Sequence, residues 1–184
     1  MAVTTQDTEL LFQFRDPLTK DRGFTAIIKK YQEKLYWHIR RIVVSHEDAN
    51  DVLQNVFIRV WNGLSNFRED AQLYTWLYRI ATNECLTFLD QQKKKSTVSM
   101  NDVESGLSNK ILADKYFDSS KLEWKLQLAI QHLPDKQRIV FNLRYFDEMP
   151  YEQMSRVLET SQGALKASYH HAVKKVEEFI LREE

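Results

Sequence analysis

HEDANDVLQNVFIRVWNGLSNFREDAQLYTWLYRIATNECLTFLDQQKKK, residues 46–95, is the stretch whose reading decides the fold. Within it Val52, Val56, Val60 and Leu64 recur at helical spacing, with Phe57 and Trp61 beside them, so they make one buried face of an α-helix. Asp48, Asp51, Gln54 and Asn55 fall largely off that face, in the first turns. A second helix carries Leu73, Trp76, Leu77 and Ile80 as its apolar stripe and ends in the basic run Lys93, Lys94 and Lys95. Seven residues after Trp76, on the same side at about 100° per residue, stands Asn83. A polar amide in an apolar stripe has two readings: a structural Asn satisfied by a neighbouring backbone group, or a group held for recognition.

The same periodicity runs through most of the chain. With four Gly and three Pro in 184 residues, there is little turn chemistry for a sheet protein, and the spacing predicts an all-α fold of two small helical domains joined by a flexible linker. Residues 1–95 are expected as the first domain, 96–120 as the linker and 121–184 as the second domain. No window has the roughly 18 uninterrupted apolar residues needed to span a bilayer, and MAVTTQDTELL lacks the basic-then-apolar layout of a signal peptide. The expected location is the cytoplasm. The single Cys85 cannot form an internal disulfide and reads as a small packing residue.

Twenty-six basic and 26 acidic residues give no net charge, an uncommon balance for a protein that acts on DNA. Charge is therefore local. Lys29 with Lys30, Arg40 with Arg41, Lys93 to Lys95 and Lys174 with Lys175 are basic; Glu47 with Asp48, Asp147 with Glu148 and the final Glu183 and Glu184 are acidic. Affinity for random duplex should be weak.

Towards the N-terminus, Leu10, Leu11, Phe12 and Phe14 form a small apolar knot, consistent with a short helix. Phe24, Ile27, Ile28, Tyr31, Leu35, Ile39 and Ile42 make a long helical stripe, with Lys and Arg expected on the other side. This helix should pack on the two described above. Ser45, Glu47 and Asp48 place oxygen acceptors and negative charge at the next helix's start, where both are favourable. The loop NGLSNFREDAQLYT reads either as a helix connection with Asn, Ser and Asp in turn and capping roles or as a binding loop.

STVSMNDVESGLSNKILADKYFDSS, residues 96–120, is rich in Ser, Asn and Asp, with one short helix expected at 111–117. Leu122, Leu126, Ile130 and Leu133 then form a stripe. A helix with Ile139, Val140, Leu143 and Phe146 follows Pro134. After the break DEMP comes a short helix with Met154, Val157 and Leu158 inside, and then a long one with Leu165, Tyr169, Ala172, Val176 and Phe179 on its buried edge. Short helix, turn, longer helix is the outline of a helix-turn-helix. Opposite the buried edge lie Gly163, Lys166, Ala167, His170, His171 and Lys174.

DANDVLQNVFIRVW and FREDAQLYTWLYRIATN resemble region 2 of the bacterial sigma-70 family, in its small extracytoplasmic-function (ECF) group; Asp51, Gln54, Phe57, Trp76, Leu77, Arg79, Ile80 and Asn83 keep the family spacing. LPDKQRIVFNLRYFDEMPYEQMSRVLETSQGALK resembles the family's region 4. The resemblance implies a factor that binds core RNA polymerase, through the β′ clamp helices and the β flap, and directs promoter-specific initiation. Carried over by position, Asp48, Asp51, Gln54 and Asn55 would contact polymerase, Asn55 standing where relatives commonly have Glu. The loop and second helix would melt and read the −10 element through Phe67, Arg68, Asp70, Gln72, Tyr74, Trp76, Arg79 and Asn83. A flipped base needs an aromatic wall and groups that bond its edge, and this set offers both. The −35 element would meet Ser161, Gln162, Gly163, Lys166, Ala167, His170, His171 and Lys174. Here GALKASYHHA departs from the usual family pattern, with Ala164, Ala167, Ser168 and His171 in place of hydroxyls or fixed positive charge. An anti-sigma factor is a further implied partner.

Neither a P-loop nor a G-x-G-x-x-G is present, and Asn50 occupies the position where a zinc-protease motif beginning at His46-Glu47 would need its second His. Adjacent His170 and His171 diverge on a helix, so no metal is expected there. The reading is a non-enzyme with no cofactor, metal or small-molecule substrate. Two alternatives from other classes are a helix-turn-helix regulator that binds duplex DNA alone and a helical protein-interaction module.

Overall fold

The computed structural model describes residues 5–69, 71–95 and 121–182. The expected linker at 96–120, its short helix, and Asp70 lie outside the described residues. Among these the chain is all-α, in two helical domains. The first comprises α1 (Thr5–Arg15), α2 (Lys20–Val43), α3 (His46–Gly63), a 3₁₀ turn (Leu64–Asn66) and α4 (Leu73–Lys95). The second comprises α5 (Lys121–Gln131), α6 (Asp135–Tyr145), α7 (Tyr151–Leu158) and α8 (Gln162–Arg182).

The apolar spacing sorts as expected. Val52, Val56, Val60 and Leu64 of α3 are buried, and so are Leu73 and Leu77 of α4 and Ile27, Tyr31, Leu35, Ile39 and Ile42 of α2. α1 adds Leu11 and Phe14 and leaves Phe12 exposed. It crosses α2 so closely that a Cβ added at Gly23 would stand 2.6 Å from the backbone nitrogen of Phe14. Ser45 caps α3, its hydroxyl accepting from the backbone N–H of Asp48 at 3.3 Å. Just before it, Val44 is held at φ 70° and ψ −40°, and the Ser45 N–H donates to the Val43 carbonyl at 2.9 Å. A γ-turn of this hand is rare and strained, more so for a β-branched residue.

One expectation for α2 is corrected. Lys and Arg were expected opposite the stripe, yet Arg40, about 140° round the helix from Leu35, is buried. The second domain packs on α2 and α4. Ile139, Val140 and Leu143 of α6, Met149 after it, Met154 and Val157 of α7 and Leu165 of α8 belong to the same buried cluster as Leu35, Ile39 and Leu77. A separate core inside the second domain joins Ile130, Leu133, Phe141, Ala172 and Val176.

Pro134 and Pro150 stand at the N-caps of α6 and α7 with φ of −53° and −62°, positions where a missing N–H is tolerated. α7 ends on Glu159 in the left-handed region, φ 50° and ψ 40°, its N–H donating to the Ser155 carbonyl. The turn then passes through Thr160 to Ser161, whose hydroxyl accepts from the Ala164 N–H at 3.3 Å and starts α8. α7 and α8 are the two arms of the expected helix-turn-helix.

Candidate nucleic-acid and protein interfaces

On α3 the helical repeat separates two faces. Asp51, Gln54 and Asn55 are exposed, Asp48 is half-buried, and the valines lie beneath them. The exposed edge continues into a groove of about 430 Å³ between α3 and α4, lined by Asn55, Ile58, Thr87, Phe88 and Gln91 among others. Ile58 is 53% exposed there, and the Arg59–Glu84 ion pair ties the two helices beside it. Sequence reasoning passed over Ile58; its signal was an apolar residue standing off the stripe of Val52, Val56 and Val60.

The loop and α4 residues divide into three groups. Phe67 is buried, 6% exposed, its ring 5.2 Å from that of Trp76, while its carbonyl accepts from Arg15 Nη2 at 3.1 Å. Arg15 also pairs with Glu69 at 2.6 Å, which sits at φ 59°. The expectation of Phe67 as an open pocket wall is therefore corrected for this conformation: a loop aromatic beside an apolar core has turned inward. Tyr74 is half-buried with its ring centroid 4.4 Å from that of Tyr78, and burial pushes its ionisation up.

Arg68 and Asn83 are exposed. The amide of Asn83 is thus in solvent and not a buried structural Asn; its backbone carbonyl accepts from Thr87 Oγ1 at 2.9 Å. The buried polar residue is its neighbour Thr82.

Gln72, Trp76 and Arg79 line the seam under α7. Gln153 Nε2 donates to Gln72 Oε1 at 3.3 Å, and Arg79 pairs with Glu159. A cleft of about 380 Å³ between the helices is lined by Thr75, Trp76, Arg79, Ser155 and Arg156.

On α8, Gln162, Gly163, Lys166, Ala167, His170, His171 and Lys174 are all exposed, with the capping Ser161 at their head. Lys174 sits 3.9 Å from Glu178 one turn on, and Lys166 Nζ lies 5.7 Å from the centre of the Tyr151 ring. The His170 and His171 ring centroids are 6.0 Å apart, with the ring planes at 57° to each other. Among the described residues no three His, Cys, Asp or Glu side chains gather where a metal could be held.

A fourth constellation was missed altogether. His38 is fully buried between α2, α4 and the turn after α6, with Nδ1 2.9 Å from Asp147 Oδ2 and Nε2 3.0 Å from Thr82 Oγ1. The Tyr78 hydroxyl donates to Asp147 Oδ1 at 3.4 Å, and burial, then Asp147, pushes its ionisation up. Arg41 Nη1 is 3.6 Å from the same oxygen; desolvation lowers its pKa and Asp147 opposes that. The available signal was His38 itself, three residues after Leu35 on the buried stripe.

Two family models match the chain: sigma-70 region 2 over residues 27–95 and sigma-70 region 4 over residues 123–176. The RNA polymerase sigma-H factor of Pseudomonas aeruginosa is 31% identical over 159 residues, covering 82% of each chain. The ECF RNA polymerase sigma-E factor of Escherichia coli is 28% identical over 159 residues, 82% of this chain and 83% of that one. Among solved structures, CnrH in complex with the cytosolic domain of CnrY shares the fold at a TM-score of 0.71 and 19% identity, over 97% of this chain and 99% of that one. The sigma factor RpoE bound to the anti-sigma factor NepR, from Bartonella quintana, does so at 0.68 and 16%, over 89% and 99%.

Proposed function

We propose a division of labour for this chain, which belongs to the sigma-70 family of RNA polymerase sigma factors, in its ECF group, and directs promoter-specific initiation by core RNA polymerase. Residues 1–95 hold polymerase and the −10 element, 121–184 hold the −35 element, and 96–120 connect them. Asp48, Asp51, Gln54 and Asn55 make the contact with polymerase, on the β′ clamp helices, and the second domain meets the β flap. The observation that carries this is the sorting on α3: three of those four polar side chains stand in solvent on a helix whose valines anchor it in the core. Such an edge is rigidly presented and unspent by the fold.

Gln72, Trp76, Arg79 and Asn83 form the −10 reader with Arg68, Asp70 and Tyr74, and Phe67 supports Trp76 from beneath. The exposed α8 face from Ser161 to Lys174 enters the major groove at −35, with phosphate attraction from Lys166 and Lys174. The protein works by binding and not by catalysis, in the cytoplasm; among the described residues no helix is long and apolar enough to cross a membrane. We also propose an anti-sigma factor as a regulatory partner, in line with the complex of RpoE with NepR.

The decisive experiment substitutes Asp51 and Gln54 together by Ala. Assembly with core polymerase should weaken at least tenfold, on the order of two lost polar contacts of about 1 kcal/mol each, while helicity is unchanged. Unaltered assembly would sink the assignment of this edge.

A further inference from the structure

Arg15, the last residue of α1, reaches the loop that follows the 3₁₀ turn, 52 residues further along the chain. Its Nη2 donates to the Phe67 carbonyl at 3.1 Å, and its Nη1 lies 2.6 Å from Glu69 Oε1. Two nitrogens of one planar guanidinium thus hold two points of the loop, a geometry that a flexible ammonium does not reproduce. Among the described residues no other side chain bonds the Phe67 carbonyl or Glu69. Glu69 stands at φ 59°, a left-handed conformation that a non-glycine residue adopts at a cost and keeps where its surroundings impose it. Arg15 supplies that restraint.

The helix that carries Arg15 is itself anchored. Phe14 is buried, its ring edge-on to Trp61 of α3 at 5.4 Å, and α1 crosses α2 at the close approach of Gly23 to Phe14. On the far side of the loop, Trp76 lies 5.2 Å from the Phe67 ring and so near Gly63 that a Cβ there would come within 3.2 Å of its Cζ2. The Phe67 ring is therefore fixed by α4, and the Phe67 carbonyl and Glu69 are fixed by α1. Arg68, between those two held points, is left exposed. A surface ion pair alone contributes little. One that shares its guanidinium with a loop carbonyl and restrains a left-handed residue sets a conformation.

We propose that Arg15 is a positioning residue for promoter recognition: from the end of α1 it fastens residues 67–69, keeping Phe67 turned in and Arg68 presented to the −10 element. The inference rests on the proposed −10 reading of this loop. Because Arg15 acts through the loop and not on DNA, it governs which base is accepted and not how strongly phosphates are attracted. The pair also neutralises Glu69, a carboxylate that would otherwise repel an incoming strand.

Nitrogen-15 relaxation of the free full-length chain tests the fastening. In Arg15→Ala the order parameters of the Arg68 and Glu69 amides should fall from about 0.85 to below about 0.6, while those of α3 and α4 stay at native values. Glu69→Gln, which leaves α1 and the Phe67 bond in place, should give a smaller fall of the same sign, and it decides alone if Arg15→Ala loses its helical circular dichroism. Native order parameters overturn the proposal, and so does a fall spread evenly over the first domain, which would make Arg15 a general stabiliser of α1. The second arm uses holoenzyme of core polymerase with each full-length chain, transcribing a promoter library randomised across the −10 element. Arg15→Ala should lower the discrimination between preferred and disfavoured bases at one position by about five- to tenfold, the low end of one base-edge contact, with assembly on core polymerase unchanged. Open-complex formation should keep its native logarithmic salt slope; a slope shallower by about 0.9 would make Arg15 a phosphate contact and overturn its role as a positioner. A loosened loop with unaltered base preference refutes the −10 assignment of the loop, and with it the recognition role of Arg15, while the fastening stands.

Discussion

Replacing His38 by Ala removes an imidazole that is fully buried and bonded on both nitrogens. Emptying a site of aromatic size in a packed interior costs about 3–5 kcal/mol, a range that includes the loss of one charge-assisted and one neutral hydrogen bond. At about 2–4 °C per kcal/mol for a chain of this size, the melting temperature should fall by about 6–20 °C. The informative quantity is the coupling to Asp147. Asp147→Ala alone strands His38 Nδ1 and half-buried Arg41 and should cost about 3 kcal/mol. The double variant should be milder than the sum by about 1.5–3 kcal/mol, since the bond between the two is lost only once. Urea unfolding followed by circular dichroism, on the four proteins of the cycle, measures this. Additivity to within about 0.5 kcal/mol would refute the His38–Asp147 contact between the two domains.

Gly23→Ala should destabilise the first domain by about 1–3 kcal/mol, because its Cβ meets backbone and not a movable side chain; a neutral melting curve would show that α1 does not sit against α2 as described. Burial, then Glu84, pushes the Cys85 thiol well above its ordinary range. Its folded pKa is raised, so its stability contribution is complete below the unfolded value of about 8.5 and is lost as pH rises beyond it, at about 1.4 kcal/mol per unit. The stability of Cys85→Ala should therefore fall less steeply between pH 9 and 10, and equal slopes would mean the native thiol ionises freely. Lys166→Ala and Lys174→Ala should each flatten the logarithmic salt dependence of −35 duplex binding by polymerase holoenzyme by about 0.9 without altering base preference; an unchanged slope in salt titrations of either would remove that residue from the phosphate contacts.

What the sequence determined was everything that depends on neighbours within a few turns. Val52, Val56 and Val60 are buried because residues four apart share a side of a helix, and that relation needs no partner to be read. The same locality made the Ser45 cap and the helix-turn-helix outline legible, and it left Asp51, Gln54 and Asn55 facing outwards. It also explains the failure at Asn83. Counting from Trp76 put Asn83 on the stripe, but Trp76 stands at the stripe's half-buried edge; six residues past Leu77, at about 100° each, Asn83 is about 120° from the stripe's centre and reaches solvent. Phe67 turned inward because burying an aromatic ring gains more than a loop loses by bending to it, a balance visible only once Trp76 is in place. The union of the domains was decided by tertiary structure alone. Nothing in α2 says that His38 will meet a carboxylate from the turn after α6, or that Glu159 will lie on Arg79, since such pairings depend on the three-dimensional docking of surfaces whose sequence patterns are each complete without the other.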